Sequence, residues 1–319
     1  MAISHIRTRR RVAAALSAAA LMATLTTALT GAAREPASPA QPSPALPVQA
    51  AFAPSGPYAT VTGTATDGTA VYDLYRPANY AALGFQSPIV TWGNGTNGSP
   101  AQVSVLLRHL ASYGFTVIAS ALPNTGSGRE IDAAAHYLVT QDGVAASVFH
   151  GHLNVNEVAA VGTSQGATGA VRAATSDPAL IKTVMTFSLP SAVWAAPNPD
   201  CPTAADCTAH PDALTRPAFF VSTHGFFDSI IASPATERAY FLSAPVHAAL
   251  GIIANSDGKA ADHASIEDPA AGGNPGAFLG YATAWLEYQL RGNATAAGAF
   301  TGTHPELLVN PNWPGSAVK

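Results

Sequence analysis

Residues 158–174 read Val158-Ala-Ala-Val-Gly-Thr-Ser-Gln-Gly-Ala-Thr-Gly-Ala-Val-Arg-Ala-Ala174. Four apolar residues suit a short buried strand, and the Ala- and Gly-rich stretch after Gly166 suits a helix lying close on a sheet. Between them stands Gly162-Thr163-Ser164-Gln165-Gly166, a G-x-S-x-G placed between strand and helix. A serine at so sharp a turn is held above the sheet in a strained backbone conformation. Only small neighbours tolerate the close approach of strand and helix there, which Gly162 and Gly166 allow. The positive end of the helix below favours a developing negative charge. Ser164 is therefore the candidate nucleophile.

Outward from this stretch, strands and helices alternate. Thr60–Thr66 and Thr69–Arg76 alternate in polarity around Asp67-Gly68, which predicts an antiparallel hairpin. Pro88–Trp92 is a short apolar strand running into the glycine-rich 93–98. A helix then opens at Ser99 or Pro100, with Val103, Leu106, Leu107 and Leu110 on its apolar face, and ends at Gly114. Further strands are expected over Phe115–Ser120, Ile181–Ser188, Ala218–Ser222 and Ala248–Asn255. Helices are expected around Gly128–Thr140, from Gln165 to about Thr175, and near Gly276–Leu290. Continuous apolar strands alternating with amphipathic helices predict an α/β fold, a mainly parallel sheet covered on both faces, with the hairpin at one edge. In such sheets the chemistry sits at the carboxyl ends of the strands.

A serine hydroxyl needs a base, and the base needs a carboxylate to fix its tautomer. In the chain order nucleophile, acid, base, the base follows the last strand, where Asp262-His263-Ala264-Ser265 lies. His263 is the candidate base, with His224 the alternative. The acid belongs after the preceding strand, where Asp228 lies; Asp257 and Asp262 are the alternatives. Two backbone N–H groups are needed to hold an oxyanion. Gln165, directly after the nucleophile, supplies one, and the 93–96 loop supplies the other, at Gly95 or else Asn94.

The remaining composition narrows the class. The chain has 319 residues, is 48% hydrophobic and only 11% charged, against about 25% charged in ordinary soluble proteins, so wholesale disorder is excluded. Residues 1–33 carry four arginines (7, 9, 10, 11), an apolar run from Val12 to Leu29 and small residues at 31–33, the pattern of a cleaved export signal. Of 15 Lys and Arg, 11 remain after this leader against 19 Asp and Glu, a net charge of −8. Without a basic face nucleic acid is not a partner. Residues 34–57 are rich in Pro, Ala and Ser and read as a tether, leaving 58–319 as one domain. Cys201 and Cys207, the two cysteines, are expected to form a disulfide, as an exported chain allows. No metal is expected, because no H-E-x-x-H or clustered His/Asp ligands appear, and no phosphate-binding glycine pattern is present. The sequons at Asn94, Asn97 and Asn293 are read as unmodified.

These features together resemble the bacterial cutinase and polyester-hydrolase group of the α/β-hydrolase superfamily, with its dienelactone-hydrolase-like and lipase relatives. The resemblance rests on Pro88-Ile-Val-Thr-Trp-Gly93, on Leu107–Ile118, on Asn124-Thr125, on the 162–166 turn, and on Asp228 and His263 in order. It covers most of residues 58–291. It implies an α/β-hydrolase fold, Ser–His–Asp esterase chemistry and no cofactor, and so a serine carboxylic-ester hydrolase; with the leader, the chain is expected to be secreted, without a stable membrane anchor, and monomeric. Its substrates would be small esters, lipids or polyesters such as poly(ethylene terephthalate). The turn departs from the usual Gly-His-Ser-Met-Gly of that group, and Phe187-Ser-Leu-Pro190 stands where the group has a Gly-Trp pair. Trp194 lies nearby and, with Trp92 and Asn94, is a candidate for substrate contact. An acyltransferase of the cell envelope with the same three residues, or a binding protein on the same fold, are the alternatives.

Overall fold

The computed structural model describes residues 45–195, 201 and 203–319. The leader at 1–33 and the start of the expected tether lie outside these residues. In chain order the regular elements are α1 (Pro47–Phe52), β1 (Thr60–Thr66), β2 (Val71–Pro77), β3 (Ser87–Gly93), α2 (Ser104–Ser112), β4 (Thr116–Ser120) and α3 (Arg129–Asp142). They continue with β5 (Leu153–Thr163), α4 (Gln165–Ser176), β6 (Ile181–Phe187), α5 (Ala204–Cys207), β7 (Ala218–Thr223), α6 (Phe226–Ile231) and α7 (Pro234–Ser243). The last are β8 (Ala248–Ile253), β9 (Asn255–Ser256), β10 (Lys259–Ala260), α8 (Gly276–Arg291), α9 (Ala294–Ala297) and β11 (Ala317–Val318).

Nine strands form one sheet in the order β1-β2-β4-β3-β5-β6-β7-β8-β11. The six from β4 to β8 run parallel. The β1–β2 hairpin and β11 add antiparallel strands at the two edges. The inner strands are buried on both faces: every residue of β3, β4, β7 and β8 is inaccessible, as continuous apolar runs require. Alternation sends Val90 and Trp92 to a core under α1, α2 and α8, and Ile89 to a second core under α3, α4 and α7. In the first core Phe219 and Trp285 lie at 5.5 Å and Trp285 meets Phe300 edge-on at 5.0 Å. In the second, α4 contributes mostly Ala and Gly. Its axis can therefore lie against the sheet, and a Cβ on Gly169 would fall 1.9 Å from the Thr125 carbonyl oxygen.

The expected tether is corrected at its end. Proline excludes a helix interior but suits its first turn, and Pro47 stands at the first position of α1. Val48 and Phe52 are 4% and 6% exposed. The buried carboxylate of Glu306, which is 4% exposed, accepts the amides of Val48 at 2.6 Å and Gln49 at 2.7 Å and the Tyr281 hydroxyl at 3.0 Å. An acidic group at the positive end of a helix satisfies donors that otherwise have no acceptor. The folded body therefore begins before Tyr58.

Candidate active site

The parallel order brings the carboxyl ends of β3, β5, β6, β7 and β8 side by side, and the candidate nucleophile, acid, base and oxyanion donors all lie on the segments that follow these strands. Ser164 is the first residue past β5 and caps α4, with φ 53° and ψ −125°. A positive φ on a residue with a side chain is uncommon and strained. The glycines on either side make it possible. A Cβ on Gly162 would sit 2.2 Å from the Gly166 carbonyl oxygen, and one on Gly166 would sit 2.2 Å from the Gly93 carbonyl oxygen. The turn is thus wedged between α4 and the end of β3.

His263 opens the short helical turn after β10, and its Nδ1 lies 2.7 Å from Oδ1 of Asp228. Asp228, on α6, is fully buried. Its other oxygen, Oδ2, accepts the Ser188 hydroxyl at 2.9 Å, the Thr223 hydroxyl at 2.6 Å and the Thr223 amide at 3.1 Å. With its Oδ2 taken by these donors, the carboxylate offers Oδ1 to accept from the imidazole Nδ1, leaving Nε2 free to accept. The Phe227 ring meets the imidazole edge-on at 5.1 Å.

The other acids named from sequence do different work. Asp262 Oδ1 accepts the amides of Phe227 at 3.1 Å and His263 at 2.8 Å, tying the acid loop to the base loop. Gly225 is required beside it, since a Cβ there would fall 2.3 Å from Asp262 Oδ1. Asp257 accepts the Gly276 amide at the start of α8. His224 is exposed.

Ser164 and His263 line one cleft of about 530 Å³. Gly95 packs on the nucleophile, a Cβ on it lying 3.3 Å from Ser164 Cβ. Among the described residues no acceptor takes the amides of Gly95 or Gln165, so both are available to an anionic oxygen. Trp92 and Trp194 line the cleft, Trp194 half exposed and donating its indole N–H to the Ile230 carbonyl at 3.1 Å. Asn94 also lines it but is 1% exposed, and its side-chain amide is spent on the carbonyls of Ser120 at 2.7 Å and Leu122 at 2.9 Å. Its side chain braces the loop, and burial at this depth excludes a glycan on it.

Sequence reading missed Ser188, Thr223 and Glu237. The first two stand at the ends of β6 and β7, where the strand-end rule gives the signal. Glu237 on α7 is fully buried, with Oε1 accepting the Leu189 amide at 2.6 Å. Burial pushes its carboxyl well above the usual range, the Leu189 donor pulls against this, and the nearby Asp228 adds to the rise. No local pattern marks it.

The Cys201–Cys207 disulfide is formed. Its loop is clamped to α4 by Arg172, which donates to the carbonyls of Ala205 at 3.0 Å and Thr208 at 3.3 Å. Away from the cleft, Asp132, His136 and Asp177 gather their ligand atoms within 4.8 Å, a grouping hidden from sequence because Asp177 joins it from just past the end of α4. Among the described residues no helix is long and apolar enough to cross a membrane. Compared with known proteins, the chain matches no family model and no curated relative.

Proposed function

We propose that the protein is a serine carboxylic-ester hydrolase of the α/β-hydrolase type. One observation carries the reading: a serine in a strained turn at the head of a helix shares a cleft with a histidine whose far nitrogen is fixed by a buried, fully hydrogen-bonded aspartate. In this mechanism His263 Nε2 takes the Ser164 proton as Oγ attacks the ester carbonyl. The amides of Gln165 and Gly95 receive the oxyanion, helped by the positive end of α4. Asp228 stabilises the imidazolium, which then protonates the departing alcohol. Water, activated by the same histidine, releases the acid and restores the serine.

The apolar wall formed by Pro190, Trp194, Phe227, Ile230 and Ile231 suits the acyl chain of a small ester, a lipid or a polyester segment. The resemblance to cutinases and polyester hydrolases supports the same class. The leader pattern and the disulfide support secretion.

The test is hydrolysis of short- and medium-chain p-nitrophenyl esters by residues 45–319 and by the same chain with Ser164→Ala. Turnover by the parent and its loss in the folded variant is the expected result. Equal turnover in both would remove Ser164 from the chemistry and sink the proposal.

A further inference from the structure

Besides the apolar wall, the cleft is lined by Glu267, four residues past His263. It is half-buried and, among the described residues, no side chain or amide donates to its carboxylate and no cation pairs with it. Of the described residues lining the cleft, none is a lysine or arginine, and Glu267 is the single acid. The other carboxylates near this end of the sheet, Asp228, Asp262 and Asp268, are each engaged by hydrogen-bond donors. The oxygens of Glu267 are not among the buried, unpartnered atoms, so the carboxylate stays open to the cleft, while partial burial raises its carboxyl above the ordinary range, with His263 pulling it back and Asp268 adding to the rise.

A further feature of the same cleft matches the carboxylate. Trp194 and Phe227 line it with half-exposed rings, whose faces attract cations. The cleft therefore offers a carboxylate and ring faces, which together complement a cation and repel an anion.

We infer that Glu267 is a specificity-determining residue that selects esters carrying an ammonium group over neutral isosteres and excludes anionic ones. This rests on the esterase reading and adds a substrate class to it. The carboxylate takes no part in bond making; it interacts with the substrate's charge in the bound and transition states alike.

The test compares acetylcholine with 3,3-dimethylbutyl acetate, which has the same shape and no charge, by acid release at pH 8 and low salt, for residues 45–319 and for Glu267→Gln. The parent is expected to favour the cationic ester by about tenfold in kcat/KM, equivalent to ~1.4 kcal/mol. In Glu267→Gln the ratio should fall to about one while the neutral ester keeps its rate within about threefold. A fall of both rates together would reflect general damage and leave the ratio intact, and an unchanged ratio overturns the inference. A second arm does not need turnover: tetramethylammonium binding by calorimetry. If neither ester is hydrolysed by the parent, the esterase reading stands or falls on the p-nitrophenyl esters alone, and the binding arm decides this inference. In that case, binding weakened about tenfold by Glu267→Gln still supports the cation site, and no binding or equal binding refutes it.

Discussion

Asp228→Asn is the change whose outcome the hydrogen bonds of the site define most closely. The asparagine keeps the shape but has one acceptor oxygen where the aspartate has two. Five donors converge on Asp228: His263 Nδ1, the Ser188 and Thr223 hydroxyls and the Thr223 amide, with the Ser222 hydroxyl more distant at 3.4 Å. The hydroxyls can rotate and accept, but the Thr223 N–H cannot. If the asparagine oxygen faces His263, its NH2 abuts that amide, and orphaning a buried N–H costs about 1–3 kcal/mol. The favoured placement therefore turns the NH2 toward His263 Nδ1, which must then accept, moving the ring proton to Nε2. That is the tautomer unable to take a proton from Ser164. The charge that stabilised the imidazolium is lost as well, a term of up to about 4 kcal/mol at ~4 Å and an effective dielectric near 20. Taken together, about 3–5 kcal/mol is expected in the barrier, a fall in kcat of roughly 10²- to 10⁴-fold. KM should be little changed, because Asp228 does not line the cleft. The assay is p-nitrophenyl butyrate hydrolysis at pH 8, with thermal melting as a check on folding. A folded Asp228→Asn protein whose kcat stays within threefold of the parent would refute the assignment of Asp228 as the partner of the base.

Three further outcomes are expected. Gly166→Ala drives a Cβ into the end of β3, where the nearest atom is backbone; overpacking of this kind costs about 1–3 kcal/mol, and a melting temperature lowered by about 2–10 °C should accompany loss of activity, whereas a melt unchanged within 1 °C would contradict the close approach. Glu306→Ala leaves the Val48 and Gln49 amides and the Tyr281 hydroxyl without their acceptor, a loss of about 2–4 kcal/mol; faster amide hydrogen exchange in α1 is the direct measurement, and unaltered exchange there would show that something else anchors the helix. Glu237 has a raised folded-state pKa, so above its unfolded value the unfolded chain releases a proton that the folded one keeps, and its contribution to stability falls as pH rises. Glu237→Gln retains an acceptor for Leu189 without that proton, so it should gain in melting temperature over the parent between pH 5 and pH 8; a constant difference across the range would mean that Glu237 is ionised in the fold.

What could be read from sequence is what depends on neighbours in the chain. The elbow is legible because Gly162 and Gly166 are needed within one turn of Ser164. The acid and the base are legible because parallel strands put consecutive loops side by side, so that Asp228 after β7 and His263 after β8 meet. The helix α1 escaped because six residues behind a proline-rich stretch have no helical merit of their own; their donors are satisfied by a glutamate over 250 residues away. Glu237 and Glu267 are likewise two ordinary acids in sequence, and only the full burial of the first and the unpaired place of the second in the cleft distinguish them. Asn94 is expected from sequence to meet substrate, and its side-chain amide is spent bracing the loop, an outcome set by the carbonyls of Ser120 and Leu122.

The geometry of the site follows from the sheet being continued one residue beyond its strands. Past β5, the Ser164 amide donates to the Phe187 carbonyl at 2.8 Å; past β6, the Ser188 amide donates to Val221 at 2.6 Å; past β7, the His224 amide donates to Ile253 at 3.1 Å. Each strand thus fixes the first loop residue of its neighbour. Two of these three residues, Ser164 and Ser188, then turn with positive φ, a conformation that costs a residue with a side chain about 1–2 kcal/mol. Ser164 has its backbone held on one side by Phe187, and the next residue, Ser188, donates its hydroxyl to Asp228. Asp228 in turn holds His263. Nucleophile, acid and base are therefore joined through β6, and strain at Ser188 bears on the acid as strain at Ser164 bears on the nucleophile. Ser188→Gly would relieve that strain yet remove the donor, so stability and activity should separate: a melt kept within about 1 kcal/mol of the parent, because lost strain offsets one lost hydrogen bond, with a reduced kcat. A variant that lost both in proportion would show that Ser188 serves the fold alone.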